Sequence, residues 1–159
     1  MSKEIIIVTI SLGNDGAERI LTELARQWHQ DGHKITVIQT SPNRYGTEYA
    51  LPEGIEQIQI HTTSSNKIIR FLQEIKVLIG ILKKRPHATC LSFLSASSFI
   101  LAISSWFVKN RIVFSERNNP RKVPVGKHQQ MLRDFAFNFA DAIVFQTEAA
   151  KSYFSHTIQ

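Results

Sequence analysis

The sequence predicts an α/β fold of the Rossmann-like type, in which helices cover both faces of a mostly parallel sheet. Residues 5–10 form a continuous aliphatic run, which is typical of a strand buried on both faces. Residues 17–28 then carry apolar side chains at helical spacing, and Gly32 stands where a left-handed C-cap would end the helix. Strand-like and helix-like segments alternate along the rest of the chain, as right-handed βαβ crossovers require.

The same patterns place the remaining elements in chain order. Residues 34–39 form a β-rich strand, and a loop rich in Pro, Asn and Gly separates it from a short strand at 55–60. Residues 67–85 repeat apolar side chains at helical spacing and end in three cations, which suit a helix C-terminus. The later segments are a strand in 88–94, a helix in 95–108, a strand at 111–115, a helix ending at 139, a strand at 142–146 and a closing helix capped by Thr147. Residues 1–159 are predicted to form one domain.

Two apolar segments also have features of membrane helices, one of a spanning helix and one of a helix on the membrane surface. Residues 89–108 contain no charged side chain and are about as long as a membrane-spanning helix. Six serines between residues 91 and 108 favour a strand, a turn and a helix instead. Residues 67–85 fit either a buried crossover helix or a helix on a membrane surface. The wide apolar face favours the core, and the two interpretations are compatible if the cationic end at 83–85 projects outward.

Composition narrows the classes of function. Nineteen Lys and Arg against thirteen Asp and Glu give a net charge of +6, which favours an anionic partner: phosphates, nucleic acid or an anionic membrane surface. The single cysteine, Cys90, is expected in the core. No metal site is predicted, because a helix end at Gly32 separates His29 from His33. Outside two polar loops the cations are scattered, so nucleic acid is not an expected partner. No signal segment is recognisable, which predicts a cytoplasmic location.

The first candidate site is the glycine turn after the first strand, formed by Gly13, Asn14, Asp15 and Gly16. Ligands of a doubly wound sheet bind at the carboxyl ends of its strands. The glycines would let the backbone approach a ligand, and the amides of the following helix would favour a phosphate or a sugar hydroxyl. Ordinary turn geometry explains two such glycines equally well. The spacing departs from the dinucleotide fingerprint and from the phosphate loop of nucleotide triphosphatases.

The second candidate site is the polar loop that begins with Ser115, Glu116, Arg117 and Asn118 and continues to Arg121. A carboxylate, guanidinium groups and an amide at the carboxyl end of a strand suit the binding of sugar hydroxyls and phosphates. The alternative is a solvated surface loop in which Glu116 pairs with a neighbouring arginine. Composition alone leaves both interpretations open.

Four stretches follow one another in a recognisable order: "GNDGAERILTELARQWHQDGHKITVIQ", "CLSFLSASSFILA", "RIVFSERNNPR" and "ADAIVFQTEAAKSYF". With them the chain resembles the N-terminal half of family 4 glycosyltransferases, the retaining enzymes of GT-B type that build bacterial polysaccharides and lipid-linked oligosaccharides. The likeness covers nearly all 159 residues. It implies a Rossmann-like domain that faces a second such domain across a cleft and binds mainly the acceptor.

The resemblance also implies roles for both loops. Gly13 and Gly16 would meet the diphosphate and sugar of a nucleotide-sugar such as a UDP-sugar, and Glu18 and Arg19 would steady the loop. Glu116, Arg117 and Asn118 would line the cleft. Many relatives carry a histidine near the preceding strand, whereas this chain has Ser-Glu-Arg there, so no catalytic residue is assigned. The implied donor is a substrate, and no further cofactor or metal is required.

The family's paired glutamates for the nucleotide-sugar, eight residues apart, belong to a C-terminal domain that these 159 residues do not include. The implied reaction is therefore one of the parent protein, and the isolated domain is expected to be inactive. That reaction is retaining transfer to a lipid-linked or polysaccharide acceptor at the inner face of a membrane. The cations of 83–85 and 117–127 would attract the acceptor or the lipid surface. The alternative function is a non-catalytic Rossmann-like module that binds a small anionic ligand.

Overall fold

The computed structural model describes residues 2–13, 16–41, 49–93, 95–116 and 126–154, and these residues form the predicted Rossmann-like fold. The strands in these ranges are β1 (Glu4–Thr9), β2 (Lys34–Gln39), β3 (Glu56–Gln59), β4 (Thr89–Ser92), β5 (Arg111–Glu116) and β6 (Ala142–Phe145). The helices are α1 (Gly16–Gln30), α2 (Lys67–Lys83), α3 (Ser95–Ser105), α4 (Lys127–Phe137) and α5 (Glu148–Lys151).

The six strands form one parallel sheet in the order β3-β2-β1-β4-β5-β6. In the centre of the sheet, Ile6 of β1 lies opposite Thr36 of β2 on one side and opposite Cys90 of β4 on the other. The chain moves from β1 towards one edge through β2 and β3, and then from β4 towards the opposite edge. The strand order therefore reverses between β1 and β4, which is where doubly wound sheets place their ligand crevice.

Helices cover the two faces of the sheet unequally. On one face, α2, α3 and α4 pack on the sheet, and residues such as Leu78, Leu101 and Phe137 join the strands in the larger core cluster. On the other face, Leu21 and Ala25 of α1 pack into the smaller cluster. Right-handed crossovers produce this division, because movement towards opposite edges of the sheet places the connecting helices on opposite faces.

The predicted segments are confirmed, and most boundaries move by one to three residues. Helix α3 ends at Ser105 instead of 108, because Trp106, Phe107 and Val108 donate backbone hydrogen bonds three residues back, in a tightened final turn. Gly32 has a φ of +84° and ends the turn after α1 as predicted. Thr147 accepts a hydrogen bond from the amide of Ala150 at 3.1 Å, so it caps α5.

The apolar segment 89–108 is a strand followed by a helix, as the serines indicated. Within the described ranges, no helix has both the length and the apolar character that crossing a bilayer requires. Cys90 lies in the core with no exposed surface. The cationic end at 83–85 projects outward only in part. Lys83 and Lys84 are exposed, but Arg85 donates to both carboxylate oxygens of Glu56 at 2.8 Å.

Candidate functional site

The switch point of the sheet lies between β1 and β4, so the loop that follows β1 and the segment that follows β4 frame the position where a ligand crevice is expected. The loop is braced from within, since the Thr9 hydroxyl donates to the carbonyl of Ser11 at 3.1 Å. The Ser11 hydroxyl in turn donates to Oε1 of Glu18 at 3.0 Å. Glu18 lies in the first turn of α1 and is only 4% exposed. The loop is thereby attached to the helix start.

The two glycines of the first candidate site have different surroundings. A Cβ atom placed on Gly13 would lie 3.0 Å from Oε2 of Glu18, so Gly13 allows the backbone to pass close to this buried carboxylate. A Cβ atom on Gly16 would meet nothing within 4 Å. Neither glycine has a positive φ. Gly13 is thus needed for close approach to Glu18, and Gly16 leaves the first turn of α1 open towards solvent.

Of the other predicted members of this site, the structure describes Arg19 but not Asn14 and Asp15. Arg19 is exposed on α1. Asn14 and Asp15 lie outside the described residues. The structure therefore brings Gly13 together with Glu18, at the start of a 15-residue helix whose first amides can favour an anion. Binding of a nucleotide-sugar by this loop stays a prediction.

A group of buried hydroxyls lies at the carboxyl end of β4, beneath the start of α3. Ser92, the last residue of the strand, lies 2.7 Å from the hydroxyl oxygen of Ser97, and Ser98 donates to Ser92 at 3.2 Å. All three side chains are at most 2% exposed. Sequence reasoning used these serines as a turn signal and missed the cluster. Three hydroxyls within an uncharged apolar segment were the available signal, because buried polar groups need partners.

The second candidate site begins at the same edge of the sheet. Ser115 and Glu116 end β5 and are 5% and 6% exposed. Because β4 lies between β1 and β5, these residues are separated from the β1 loop by two strand spacings, roughly 10 Å. Burial of Glu116 excludes the interpretation of this residue as a solvated loop position. Arg117, Asn118 and Arg121 lie outside the described residues, so the role of the loop stays a prediction.

An open groove of about 450 Å³ lies on the α1 face of the sheet, where β4, β5 and β6 extend beyond that helix. Its walls are mainly apolar and include Trp28, Phe93 and Val144. Lys3 and Arg111 lie at the amino ends of the strands, and Ser115 lies at the carboxyl ends. The groove thus runs along the strands and reaches the second candidate site.

The pKa values of two side chains, Cys90 and Glu74, are shifted by burial. Burial raises the pKa of the Cys90 thiol to about 12, so this thiol is unsuited to nucleophilic or metal chemistry. Desolvation raises the pKa of Glu74, and the nearby Arg70 partly opposes that shift. Across the described part of the chain, no three His, Cys, Asp or Glu side chains come together as a metal site would require.

Comparison with solved structures shows the fold. Sucrose-phosphate synthase from Thermosynechococcus elongatus matches with a TM-score of 0.72 at 7% identity, over 95% of this chain and 44% of that one. Anabaena HepE in complex with UDP matches with a TM-score of 0.68 at 12% identity, over 94% and 39%. A UDP-GlcNAc 2-epimerase from Methanocaldococcus jannaschii matches with a TM-score of 0.65 at 14% identity, over 92% and 41%. The chain thus spans about two fifths of these proteins.

The fold alone does not select an activity, because a synthase and an epimerase share it. No curated protein matches the chain in sequence. The family model described as Glycosyltransferase Family 4 matches residues 14–159, which is most of the chain and includes the second candidate loop and all of the first except Gly13. This protein therefore belongs to Glycosyltransferase Family 4.

Proposed function

We propose that this chain is the acceptor-side, N-terminal domain of a retaining glycosyltransferase that transfers a sugar from a nucleotide-sugar to a lipid-linked or polysaccharide acceptor. The observation that carries the proposal is the family match over residues 14–159 on a Rossmann-like domain of GT-B type. The proposed role is the synthesis of a bacterial cell-surface glycan, at the cytoplasmic face of the membrane.

The position of the expected crevice supports the donor part of this proposal. The first turn of α1 follows the loop that frames this position, and partial positive charge at a helix N-terminus stabilises a diphosphate. Glu18 and Gly13 fix the path of the loop against that turn. In this role they are positioning residues, because neither is assigned a contact with the reacting atoms. Gly13, Asn14, Asp15 and Gly16 form the donor loop of the proposal, and the UDP-sugar is a substrate that needs no cofactor in addition.

The proposed acceptor side lies at the end of β5. Ser115 and Glu116 begin it, and Arg117, Asn118 and Arg121 supply guanidinium and amide donors for sugar hydroxyls or an acceptor phosphate. A second Rossmann-like domain, with the paired glutamates, would close the cleft and hold the nucleotide. Its presence is part of the proposal, in line with solved structures that are more than twice as long as this chain.

The test is a transfer assay on the polypeptide encoded by the complete gene. The coding region downstream of Gln159 is sequenced first, and the full protein is then incubated with UDP-sugars and a membrane lipid extract. We expect a glycosylated lipid or polysaccharide whose new anomeric centre, determined by NMR, keeps the donor configuration. A product of inverted configuration would refute retention.

The second candidate function is the non-catalytic module for a small anionic ligand. The open first turn of α1 favours it as much as it favours the transferase. A stop codon directly after Gln159, together with nucleotide binding and no transfer, would establish the module and refute the enzyme.

A further inference from the structure

The helical layer formed by α2, α3 and α4 exposes more large apolar side chains than single surface residues explain. Ile68 is 72% exposed, Met131 is 63% exposed, and Leu72 and Trp106 are each 58% exposed. We call the exposed apolar residues of this layer the apolar strip. Its members are Ile68, Ile69, Leu72, Trp106, Phe107, Met131, Leu132 and Phe135. An exposed apolar surface that extends over several elements marks a binding face.

Aromatic contacts connect the strip across the three helices. Phe71 of α2 stacks on Phe99 of α3 with ring centroids 5.7 Å apart, and Phe99 meets Phe135 of α4 at 6.1 Å. Phe135 in turn meets Trp106, just after α3, at 6.2 Å. Ile68 lies one helical turn before Phe71 and adjoins it on the surface of α2. The exposed residues are therefore parts of one continuous face.

Positive charge is concentrated on the same layer. Residues 67–109 contain seven Lys or Arg and one Glu, a net charge of +6, which equals the net charge of the whole chain. Arg85 is held by Glu56, and Arg70 lies 3.9 Å from Glu74. The other five cations are exposed lysines: Lys67, Lys76, Lys83, Lys84 and Lys109. Cations that are scattered in the sequence thus gather around the apolar strip in the fold.

These observations identify the occupant by its chemistry. A second copy of the chain would bring two faces of the same positive charge together, which opposes dimerisation through the strip. An anionic bilayer offers the opposite charge for the lysines and an apolar interior for the exposed side chains. Trp106, just after α3, is of the residue type that anchors proteins at the headgroup level, and Phe107 beside it adds exposed apolar surface.

We propose that the apolar strip and its lysines form a docking face for an anionic lipid bilayer. The inference deepens the proposed function, on which it rests for a lipid-linked acceptor. It also extends the membrane contact from the sequence-based position at 83–85 along α2 to its first turn and to the end of α3. The strip extends from the first turn of α2, at the carboxyl edge of the sheet, to the end of α3, at the amino edge, so the bilayer would lie along the helical layer.

The test is co-sedimentation of the 159-residue chain with vesicles, without nucleotide or acceptor. We expect binding to equal mixtures of phosphatidylcholine and phosphatidylglycerol, and little binding to phosphatidylcholine alone. Two apolar substitutions together, Leu72→Ser and Trp106→Ser, should weaken binding about tenfold or more. The charge reversals Lys67→Glu and Lys76→Glu together should weaken it by a similar factor of about ten. Circular dichroism of each variant establishes that the fold is kept.

The matched control is Lys3→Glu, which reverses one exposed charge in the groove on the opposite face of the sheet. We expect this variant to bind like the wild type, and equal weakening by Lys3→Glu and Lys76→Glu as single changes would overturn the proposal. The variant Trp28→Phe leaves Trp106 as the one tryptophan, and its emission should shift to the blue on vesicles. No binding to anionic vesicles, or binding without that shift, also overturns the docking face. A chain that docks but belongs to an inactive full protein would refute the proposed function alone.

Discussion

The hydroxyl of Ser11 donates a hydrogen bond to Oε1 of Glu18 across 3.0 Å, and this contact joins the loop after β1 to the first turn of α1. The carboxylate is buried, and its second oxygen lies against the backbone at Gly13. One side chain therefore sets the distance between the end of the first strand and the start of the first helix. The loop between them lies at the switch point of the sheet, where a ligand crevice is expected.

Two substitutions of Glu18 distinguish the contribution of its side-chain volume and hydrogen bond from the contribution of its negative charge. Glu18→Ala leaves the Ser11 hydroxyl without this partner and opens a space beside Gly13, so we expect a loss of about 1–3 kcal/mol in the free energy of unfolding. Glu18→Gln keeps the acceptor oxygen for Ser11 and should cost less than Glu18→Ala. Urea denaturation of the three proteins measures both changes. Equal stability of Glu18→Ala and the wild type would show that Glu18 does not brace the loop.

The two glycines of the loop provide a matched pair of substitutions. Gly13→Ala places a Cβ atom 3.0 Å from Oε2 of Glu18, and we expect a loss of stability of about 1 kcal/mol because the buried carboxylate must move. Gly16→Ala meets open space in the first turn of α1, and alanine at a position without positive φ stabilises by about 0.4–1 kcal/mol, because it restricts the unfolded chain. Thermal unfolding should therefore shift in opposite directions for the two variants. A shift of Gly16→Ala downward by as much as Gly13→Ala would contradict this account.

The sequence predicted the architecture because its signals are local and periodic. The aliphatic run at β1, the helical stripe of α1 and the positive φ at Gly32 each follow from residues that are neighbours in the chain. The cluster of Ser92, Ser97 and Ser98 was missed in the sequence. Whether a serine caps a turn or is buried against other hydroxyls depends on the direction in which α3 leaves β4. That direction is set by packing in three dimensions.

The positions of the charged side chains also depend on tertiary packing and could not be predicted from the sequence. Along the chain the lysines are spread over more than forty positions, from Lys67 to Lys109. Only the side-by-side packing of α2, α3 and α4 gathers them on one layer with the exposed apolar residues. Conversely, Arg85 belongs to a cationic run in the sequence, yet contacts at the amino edge of the sheet hold it beside Glu56. Tertiary neighbours decide which charges are available to a partner.

The buried hydroxyl cluster predicts a sizeable effect of a small substitution. Ser92→Ala removes a hydrogen-bond partner that Ser97 and Ser98 share, and the loss of a buried hydrogen bond costs about 1 kcal/mol. We expect a decrease of that size in the free energy of unfolding. The control is Ser152→Ala, whose exposed hydroxyl bonds to the carbonyl of Ala149. Its stability should change by no more than about 0.5 kcal/mol. Similar small losses for both variants would mean that the cluster contributes little.

Cys90 makes stability depend on pH in the alkaline range. Burial raises the pKa of its thiol from 9.0 to about 12, because the thiolate would be formed in the apolar core. Below pH 9 the native and unfolded chains both keep the proton, and the full stability is present. Between pH 9 and 12 the unfolded chain loses the proton while the native chain retains it, so stability falls as the pH rises.

The slope of that fall is about 1.4 kcal/mol per pH unit for one proton, and other groups that titrate in this range add slopes of their own. Comparison with Cys90→Ala isolates the contribution of the thiol. This variant is expected to start from a lower stability at neutral pH, because it leaves a small cavity, and to lose less stability per pH unit above pH 9. Urea denaturation at stepped pH values measures the two slopes. Parallel slopes for the wild type and Cys90→Ala would mean that the thiol ionises as readily in the folded chain as in the unfolded one, and that the core around β4 admits water.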